Sequence, residues 1–294
     1  MKKVALTLIG VLLATPALAG KIDQTQDADA NGEVDIFNLS GSIEIIGWNR
    51  KQIQVTGTIG DDVEEFIFER NGNSTTIKVK VPDRVHGHKD VSSDLVIRVP
   101  QGSSIDVSSV SCDISSEGVQ GEQELQTVSG DIETEIFAAD VDAETVSGDV
   151  DAEGSNKDTE VKLETVSGDV SAEGLSGELK AGSVSGDVDV VQGDFSRARI
   201  ETVNGDITYS AALRSGGKLD VESVNGTVDV TLLGDVSARF DIETFNGRIR
   251  NCFGPEAERT SKYAPGWELS FTEGDGDGRV NIATLNGGVR LCKK

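Results

Sequence analysis

A five-residue motif, Val-Ser-Gly-Asp-Val, recurs through the chain and constrains its fold more than any other feature. It stands complete at residues 146–150, 166–170 and 184–188, and ends in Ile at residues 128–132. Relaxed copies with Asn before the glycine begin at positions 203, 224, 245 and 285. The motif glycines are Gly130, Gly148, Gly168, Gly186, Gly205, Gly226, Gly247 and Gly287. The first seven are 18 to 21 residues apart, and such a fixed period indicates a solenoid of stacked coils.

Apolar residues two positions apart flank each glycine and predict a strand on either side of it. Around Gly168 these are Val161 and Leu163 before the glycine, and Val170 and Ala172 after it. Such alternation is typical of a strand with one buried face. Ser or Asn before the glycine and Asp after it form a turn cluster, in which glycine can adopt a positive φ. One coil is therefore strand, tight turn, strand and looser turn.

These patterns predict an all-β fold, a parallel β-helix with about 20 residues per coil. By analogy with parallel crossover connections, we expect the coil to be right-handed. The solenoid should occupy residues 104–294, with successive coils over residues 104–252 and an irregular, looped-out insertion at residues 253–280. Residues 20–103 carry short alternating segments between turn signals, and we expect them to form an N-terminal β cap.

Residues at the same distance from each motif glycine form a column of the repeat. Two neighbouring columns at the corner of the coil contain nearly the same residue type in every coil. Thr or Ser stands three residues before each motif glycine, and Val, Phe or Leu stands two residues before it. We interpret the corner as a bend that turns both side chains toward restricted positions, so that Val166→Asp would bury a charge in the core. Asn204, Asn225 and Asn246 are expected either to stack as an amide ladder or simply to suit the turn.

The first 19 residues have the features of a secretory signal peptide. A basic start with Lys2 and Lys3 precedes an apolar run, and an Ala-x-Ala site ends at Ala19. The run is too short to span a membrane, and no later segment is apolar enough, so we expect no integral membrane span. The expected location is periplasmic or secreted.

The chain is strongly acidic. Without Lys2 and Lys3 it has 25 basic and 51 acidic side chains, a net charge of −26. This charge argues against nucleic acid and anionic membrane surfaces as partners. It permits cationic partners or weak binding of divalent cations along the Asp and Glu columns, whereas the simpler interpretation is that it keeps an exported β-protein soluble.

Three cysteines raise the question of a disulfide. Cys252 and Cys292 each lie five residues after a motif glycine, in the same column of the repeat. If residues 253–280 loop out, the two fall on adjacent coils, where the Cα separation suits a disulfide. Export supplies oxidising conditions. We therefore predict a Cys252–Cys292 disulfide, with Cys112 as a free thiol.

Two acidic segments are weak candidates for a calcium site. Asp275 and Asp277 alternate with glycines, and Asp27 and Asp29 precede another glycine, as in the first half of a calcium loop. The bidentate Glu expected at position twelve is missing from both segments. We favour exposed acidic turns at both places.

Catalytic chemistry finds little support in the sequence. His86 and His88 are the only histidines, and no Cys or third ligand lies near them, so we favour a polar loop over a metal site. A β-helix glycosidase needs paired carboxylates on long loops over a groove, whereas these turns are short and uniform. We predict no catalytic residue and no cofactor.

Residues 40–49, Ser-Gly-Ser-Ile-Glu-Ile-Ile-Gly-Trp-Asn, are followed by Ile-Gln-Val-Thr-Gly at residues 53–57. This start resembles that of the exported bacterial putative-adhesin domains of unknown function, which also continue into Val-Ser-Gly-Asp-Val repeats. The resemblance covers nearly all of residues 30–294. It implies a β-solenoid and a cell-envelope or secreted location, and it brings no catalytic residue.

The leading hypothesis is a non-enzymatic exported β-solenoid, a structural or binding, adhesin-like protein of the cell envelope. Its partner, in the envelope or outside the cell, is not identified by the sequence. The rival from another class is a polysaccharide-active β-helix enzyme. A third hypothesis is homo-association, in which an envelope scaffold assembles end to end through open strand edges.

Overall fold

The computed structural model describes residues 20–82, 90–261 and 265–294. Every regular element in these ranges is a β-strand, so the protein is all-β as predicted. Within the same ranges, no helix is long and apolar enough to cross a membrane. The expected signal peptide at residues 1–19 and the pair His86 and His88 lie outside the described residues.

The described ranges contain 23 strands that share one hydrogen-bonded sheet. The first twelve are β1 (Gly20–Asp27), β2 (Glu33–Trp48), β3 (Gln52–Ile59), β4 (Glu65–Asn71), β5 (Ser74–Lys80), β6 (Ser93–Pro100), β7 (Ser104–Glu117), β8 (Gln123–Gln126), β9 (Ile132–Ile136), β10 (Val141–Glu144), β11 (Val150–Gly154) and β12 (Asp158–Ser167). The others are β13 (Val170–Glu173), β14 (Ser176–Ser185), β15 (Val188–Asn204), β16 (Ile207–Asn225), β17 (Val228–Leu233), β18 (Ala238–Thr244), β19 (Ile249–Asn251), β20 (Glu258–Arg259), β21 (Trp267–Glu273), β22 (Gly278–Asn286) and β23 (Val289–Lys293).

Each coil contributes one strand to each of two rows. The front row holds the strand before each motif glycine, and the back row holds the strand after it. In the front row β8, β10, β12 and β14 pair in parallel, followed by the later parts of β15 and β16. In the back row β9, β11 and β13 pair in parallel, followed by the first parts of β15 and β16 and then β17. The apolar positions align, so that Val161 lies between Val141 and Leu179.

The core is a narrow column of side chains between the two rows. In the coil of Gly168, Val161 and Leu163 enter it from the front row and Val170 and Ala172 from the back row, each almost fully buried. Burial of every second residue on both strands is the feature that the alternating sequence predicts.

The order of coils in the stack departs from chain order at the C-terminal end. The prediction of successive coils over residues 104–252 is wrong at its last step, because β22 pairs with both β16 and β18. Gly287 consequently lies between Gly226 and Gly247. The segment β22–β23 carries a full set of buried positions, including Val280 and Leu291, which suits a coil with a neighbour on both sides.

Residues 253–280 do not loop out as an irregular insertion. β20 and β21 lie within this range, and β22 begins before its end. β21 pairs antiparallel with the outer edge of β18. Phe271 from β21 stacks on Phe240 from β18 with ring centroids 4.5 Å apart, and Phe253 packs against both rings. The segment therefore covers the end of the front row, because its aromatic side chains bury apolar surface there.

The N-terminal end mixes pairing directions. β1 pairs antiparallel with β3, β3 with β6, and β4 with β5. β5 and β6 pair in parallel with the two parts of β2, and β2 pairs in parallel with β7. Parallel stacking therefore begins before residue 104, and the strands β1 and β4 lie at the outer edges of this end.

The valine column at the corner is exposed, contrary to the prediction that both corner columns are restricted. Val166 is 43% exposed, whereas Thr165 is 4% exposed. The alternation that buries Leu163 continues unchanged, so that Thr165 points in while Glu164 and Val166 point out. The alternation of buried and exposed side chains is interrupted only at the Ser-Gly-Asp turn.

Candidate functional site

Contact between coils requires glycine at the corner. A Cβ built on Gly168 would lie 2.0 Å from the carbonyl oxygen of Gly148, and one on Gly186 would lie 1.8 Å from that of Gly168. Side chains essentially never approach a carbonyl so closely. Gly168 has a φ of +156°, but Gly186 lacks a left-handed φ, so the predicted turn conformation explains only part of the column. The same contact joins neighbours along Gly130, Gly148, Gly168, Gly186, Gly205, Gly226, Gly287 and Gly247.

The buried hydroxyls of the threonine column bond to these glycine carbonyls. Thr165 Oγ1 donates to the oxygen of Gly148 over 3.0 Å, and Ser183 Oγ donates to that of Gly168 over 2.9 Å. Thr127 Oγ1 instead donates to the carbonyl of Cys112, and the buried Oγ of Ser223 has no hydrogen-bond partner. The column therefore fixes the corner of each coil against the next one.

The aspartates after the glycines have a structural role of the same kind. Asp149 Oδ1 accepts a hydrogen bond from the backbone amide of Asp169 over 2.8 Å, and Asp169 Oδ1 accepts one from that of Asp187 over 2.7 Å. Each carboxylate therefore satisfies an exposed turn amide on the neighbouring coil. These bonds offset the repulsion expected between like charges in one column.

The asparagines form an amide ladder at the same corner, in stack order rather than chain order. Asn225 Nδ2 donates to Asn204 Oδ1 over 2.9 Å, Asn286 donates to Asn225 over 2.8 Å, and Asn246 donates to Asn286 over 2.9 Å. The dedicated ladder, one of the two alternatives considered from the sequence, is therefore confirmed.

An unbroken row of exposed apolar side chains runs along the outer surface of this corner. We call it the valine ridge; each member is between 39% and 49% exposed. In stack order it comprises Val110, Val128, Val146, Val166, Val184, Val203, Val224, Leu285 and Phe245. With coils about 4.8 Å apart, the ridge is roughly 38 Å long. Sequence reasoning missed it, although alternation counted on from Leu163 would have placed Val166 outside.

A groove of about 1070 Å³ follows the valine ridge. The buried threonine column forms its floor, and one side is lined by a column in which a carboxylate stands two residues before five of the nine ridge residues. Half-buried Trp267 lies at its C-terminal end. The carboxylates are Glu144, Glu164, Glu201, Glu222 and Glu243.

Three of the five carboxylates in this column are held in ion pairs within the protein, Glu201 by Arg199 and the other two by lysines. Lys162 forms ion pairs with Glu144 and Glu164, and Lys180 pairs with Glu164 over 2.6 Å. Desolvation alone would lower the pKa of Lys162, but the hydrogen bond to Glu144 and the nearby carboxylates together raise it. Desolvation likewise opposes the shift of Glu164, whose pKa is lowered by its bonds to the two lysines.

Farther across the front row, the outer side chains change sign along the stack. The N-terminal half has a hollow of about 600 Å³ where burial and the charge of Asp35 raise the pKa of Asp106. Other acidic side chains there are Glu33, Glu122, Glu124, Asp140, Asp142 and Glu160. In the same outer columns, later coils carry mostly basic side chains, Lys180, Arg197, Arg199, Lys218, Arg279 and Arg239, beside the acidic Glu178, Asp220 and Asp241.

The two segments that were weak candidates for calcium are engaged in other contacts. Asp277 accepts hydrogen bonds from Ser215 and Ser237, which lower its pKa to about 2. The Asp275 amide donates to Ser237 Oγ over 3.1 Å. At the other segment, Asp29 pairs with an arginine 2.7 Å away. The hollow beside Asp277 is lined by Lys218, Arg239 and Arg279. Among the described residues, no group of three or more His, Cys, Asp or Glu is placed to hold a metal ion.

The predicted disulfide between Cys252 and Cys292 is confirmed, with Cα atoms 4.8 Å apart. It joins the coil of Gly247 to that of Gly287, its neighbour in the stack. Cys112 is a free, fully buried thiol, and burial raises its pKa to about 11. It occupies the glycine column next to Gly130.

Stacked parallel coils, a glycine and threonine corner and an exposed apolar ridge define a β-solenoid with a lateral surface suited to binding. A comparison with known protein families assigns the chain to one of them. The model of the Toastrack DUF4097 family matches residues 31–291, and the chain belongs to that family. A comparison with curated proteins gives no match.

Three solved structures are similar to this chain over most of its length. A putative adhesin from Bacteroides fragilis has a TM-score of 0.44 at 9% identity over 93% of this chain and 97% of its own. A structure named as a putative lipid binding protein, from Parabacteroides distasonis, has a TM-score of 0.44 at 12% identity over 94% and 97%. A putative adhesin from Parabacteroides merdae has a TM-score of 0.39 at 10% identity over 92% and 96%.

Proposed function

We propose that this protein is an exported, non-enzymatic binding protein of the cell envelope, and that the valine ridge is its contact surface. The observation that carries the proposal is the exposure of nine apolar side chains in one row. A large contiguous apolar patch on a folded protein marks an interaction surface. Covering it is favourable by about 25 cal/mol for each Å² removed from water.

The groove offers binding contacts more readily than catalytic ones. Its floor hydroxyls, such as Thr165 and Ser183, are committed to glycine carbonyls. Glu144 and Glu164 are held in ion pairs, and Glu201 is paired with Arg199 over 2.7 Å. A hydroxyl nucleophile needs a base within hydrogen-bonding reach, and none of the buried floor hydroxyls that the structure describes is bonded to a carboxylate. This supports binding over the polysaccharide-active enzyme.

Export is supported by the disulfide. Disulfides persist in oxidising compartments such as the periplasm and the extracellular space. The Cys252–Cys292 bond therefore fits a protein outside the cytoplasm. We propose a periplasmic or secreted location, reached through a signal peptide at residues 1–19.

The scaffold that we propose is a right-handed rod whose N-terminal region, residues 20–103, caps the stack. At the other end the front row finishes in β20, which is only two residues long. Short edge strands prevent one sheet from pairing with another. This favours a single rod with a lateral binding surface over end-to-end assembly.

The test is binding of the purified mature protein to cell-envelope fragments of the producing organism. We expect the wild-type protein to sediment with the fragments. Replacing three central ridge residues with serine (Val146→Ser, Val166→Ser and Val184→Ser) should abolish this, because the apolar row is then interrupted.

A matched control carries three serines on the outer surface of the back row, at Asp151→Ser, Asp189→Ser and Thr208→Ser. It should sediment like the wild type. Both variants should keep the wild-type circular dichroism spectrum, because all six positions face outward. Equal sedimentation of the ridge variant and the wild type would refute the ridge as the contact surface.

A further inference from the structure

At the C-terminal end of the valine ridge, the carboxylate column continues onto the end strands. Glu243 lies opposite Glu268, and Glu268 lies opposite Glu258. All three are exposed, and opposed side chains in neighbouring strands are about 5 Å apart. Among the described residues, neither these three nor Glu222 forms an ion pair. Three like charges in a row are therefore left without internal compensation.

The apolar side chains beside these carboxylates are the largest on the ridge. Phe245 is 49% exposed and Leu285 is 48% exposed. Half-buried Trp267 closes the groove next to them, with the guanidinium of Arg259 5.3 Å from its ring centre. We call this region the C-terminal patch; it comprises Val224, Leu285, Phe245, Glu222, Glu243, Glu268 and Glu258.

We propose that the C-terminal patch binds an amphipathic helix of a partner protein, with Lys or Arg beside an aliphatic stripe. This proposal rests on the proposed function of the valine ridge. The partner helix should carry Lys or Arg because the uncompensated carboxylates lie on one side of the apolar row and attract positive charge. In the middle of the ridge, Lys162 and Lys180 already neutralise the carboxylates, and the same partner would gain less.

A helix fits this surface better than an extended chain. The backbone groups along the corner are bonded to neighbouring coils, as in the bond from the Ser167 amide to the Val146 carbonyl over 3.0 Å. Backbone groups that the structure describes along the ridge are therefore engaged with neighbouring coils and offer an extended peptide little, whereas a helix satisfies its own. Ridge and carboxylate columns are two residues apart along a strand, about 6.6 Å, which suits neighbouring stripes of one helix.

The size of the patch sets the length of the helix. Its side chains lie on five adjacent strands, β16, β22, β18, β21 and β20, or directly after one of them, and these strands span roughly 19 Å. A helix of about 14 residues covers about the same distance. A second copy of this chain is a poor occupant, because the same carboxylates would face each other and the chain has a formal net charge of −24.

The experiment uses a labelled synthetic helical peptide of about 14 residues, with Leu at positions i, i+3, i+4 and i+7 and Lys beside them. Fluorescence anisotropy reports its binding to the mature protein. Glu243→Gln with Glu268→Gln should weaken binding about five- to tenfold, the loss expected for two exposed ion pairs. Glu133→Gln with Glu153→Gln, an equal charge change on the outer surface of the back row, should leave binding unchanged.

Other outcomes overturn the proposal and identify which part is wrong. Equal weakening by the two double variants would mean that only net charge attracts the peptide. Absence of peptide binding, while the central ridge variant still loses envelope binding, would refute the helix and leave the binding function intact. A dimer in sedimentation equilibrium that Glu243→Gln with Glu268→Gln strengthens would make a second copy the occupant.

Discussion

The threonine and valine columns are adjacent in the chain, equally uniform and opposite in environment. Thr165 is buried and bonded to the glycine carbonyl of the next coil, whereas Val166 is 43% exposed. In most folds an aliphatic residue repeated at one position is buried, and a hydroxyl repeated beside it is exposed. In this solenoid, a uniform column shows only that equivalent positions of successive coils lie above one another. Whether its side chains point into the core or out to solvent follows from the alternation along the strand.

The two columns are uniform for different physical reasons. The hydroxyl is needed because the glycine corner leaves a carbonyl that requires a donor inside the core, where an unpaired polar group is costly. The valines stack on each other across parallel strands, and such β-branched pairs stabilise a sheet even at an exposed surface. One column therefore serves the corner, and the other forms the surface that we propose for binding.

The largest expected effect concerns the corner to which the threonines bond. Gly168→Ala places a Cβ 2.0 Å from the Gly148 carbonyl, so the two coils must separate, and we expect a loss of at least about 4 kcal/mol in the free energy of unfolding. Gly182→Ala is the control, because the nearest atom to its Cβ is 3.4 Å away. Urea denaturation should leave this control within about 1 kcal/mol of the wild type.

The next largest effect concerns the disulfide that joins the last two coils of the stack, where both columns end. Cys252→Ser with Cys292→Ser removes a bond with a sequence separation of 40 residues, and we expect a loss of about 3 to 4 kcal/mol in the chain-entropy model. Thermal melting with and without reductant checks this. Reductant should lower the melting temperature of the wild type and leave that of the variant unchanged; a wild type insensitive to full reduction would contradict the expectation.

A smaller effect separates burial from hydrogen bonding within the threonine column. Ser183 and Ser223 are both buried in it, but only Ser183 bonds to a glycine carbonyl. Ser183→Ala should cost about 1 kcal/mol, whereas Ser223→Ala should be neutral or stabilising. Chemical denaturation of the two variants decides the matter, and equal costs would show that the hydroxyl bond contributes nothing to the uniformity of the column.

The repeat period and alternation were sufficient to predict the coils, the glycine column and the partners in the disulfide. They did not predict that the coil of Gly287 lies between the coils of Gly226 and Gly247, because the stacking order depends on the strand edge with which each new strand pairs. Phe253 and Phe271 lie outside the motif, so their contact with Phe240 had no signal in the repeats. The ridge was missed because a uniform valine column was taken as evidence of burial.

The smallest expected effect tests the valine column directly. A buried Val166 would make Val166→Asp cost several kcal/mol, because a charge would enter an apolar core. On the ridge the new carboxylate remains in water, and only contacts with Val146 and Val184 are lost, so the cost should stay below about 1 kcal/mol. Leu163→Asp, three residues earlier in the same strand, is the matched core change and should prevent stable folding, because Leu163 is fully buried. Urea denaturation of the two variants measures the difference, and similar losses for both would place Val166 inside and remove the ridge.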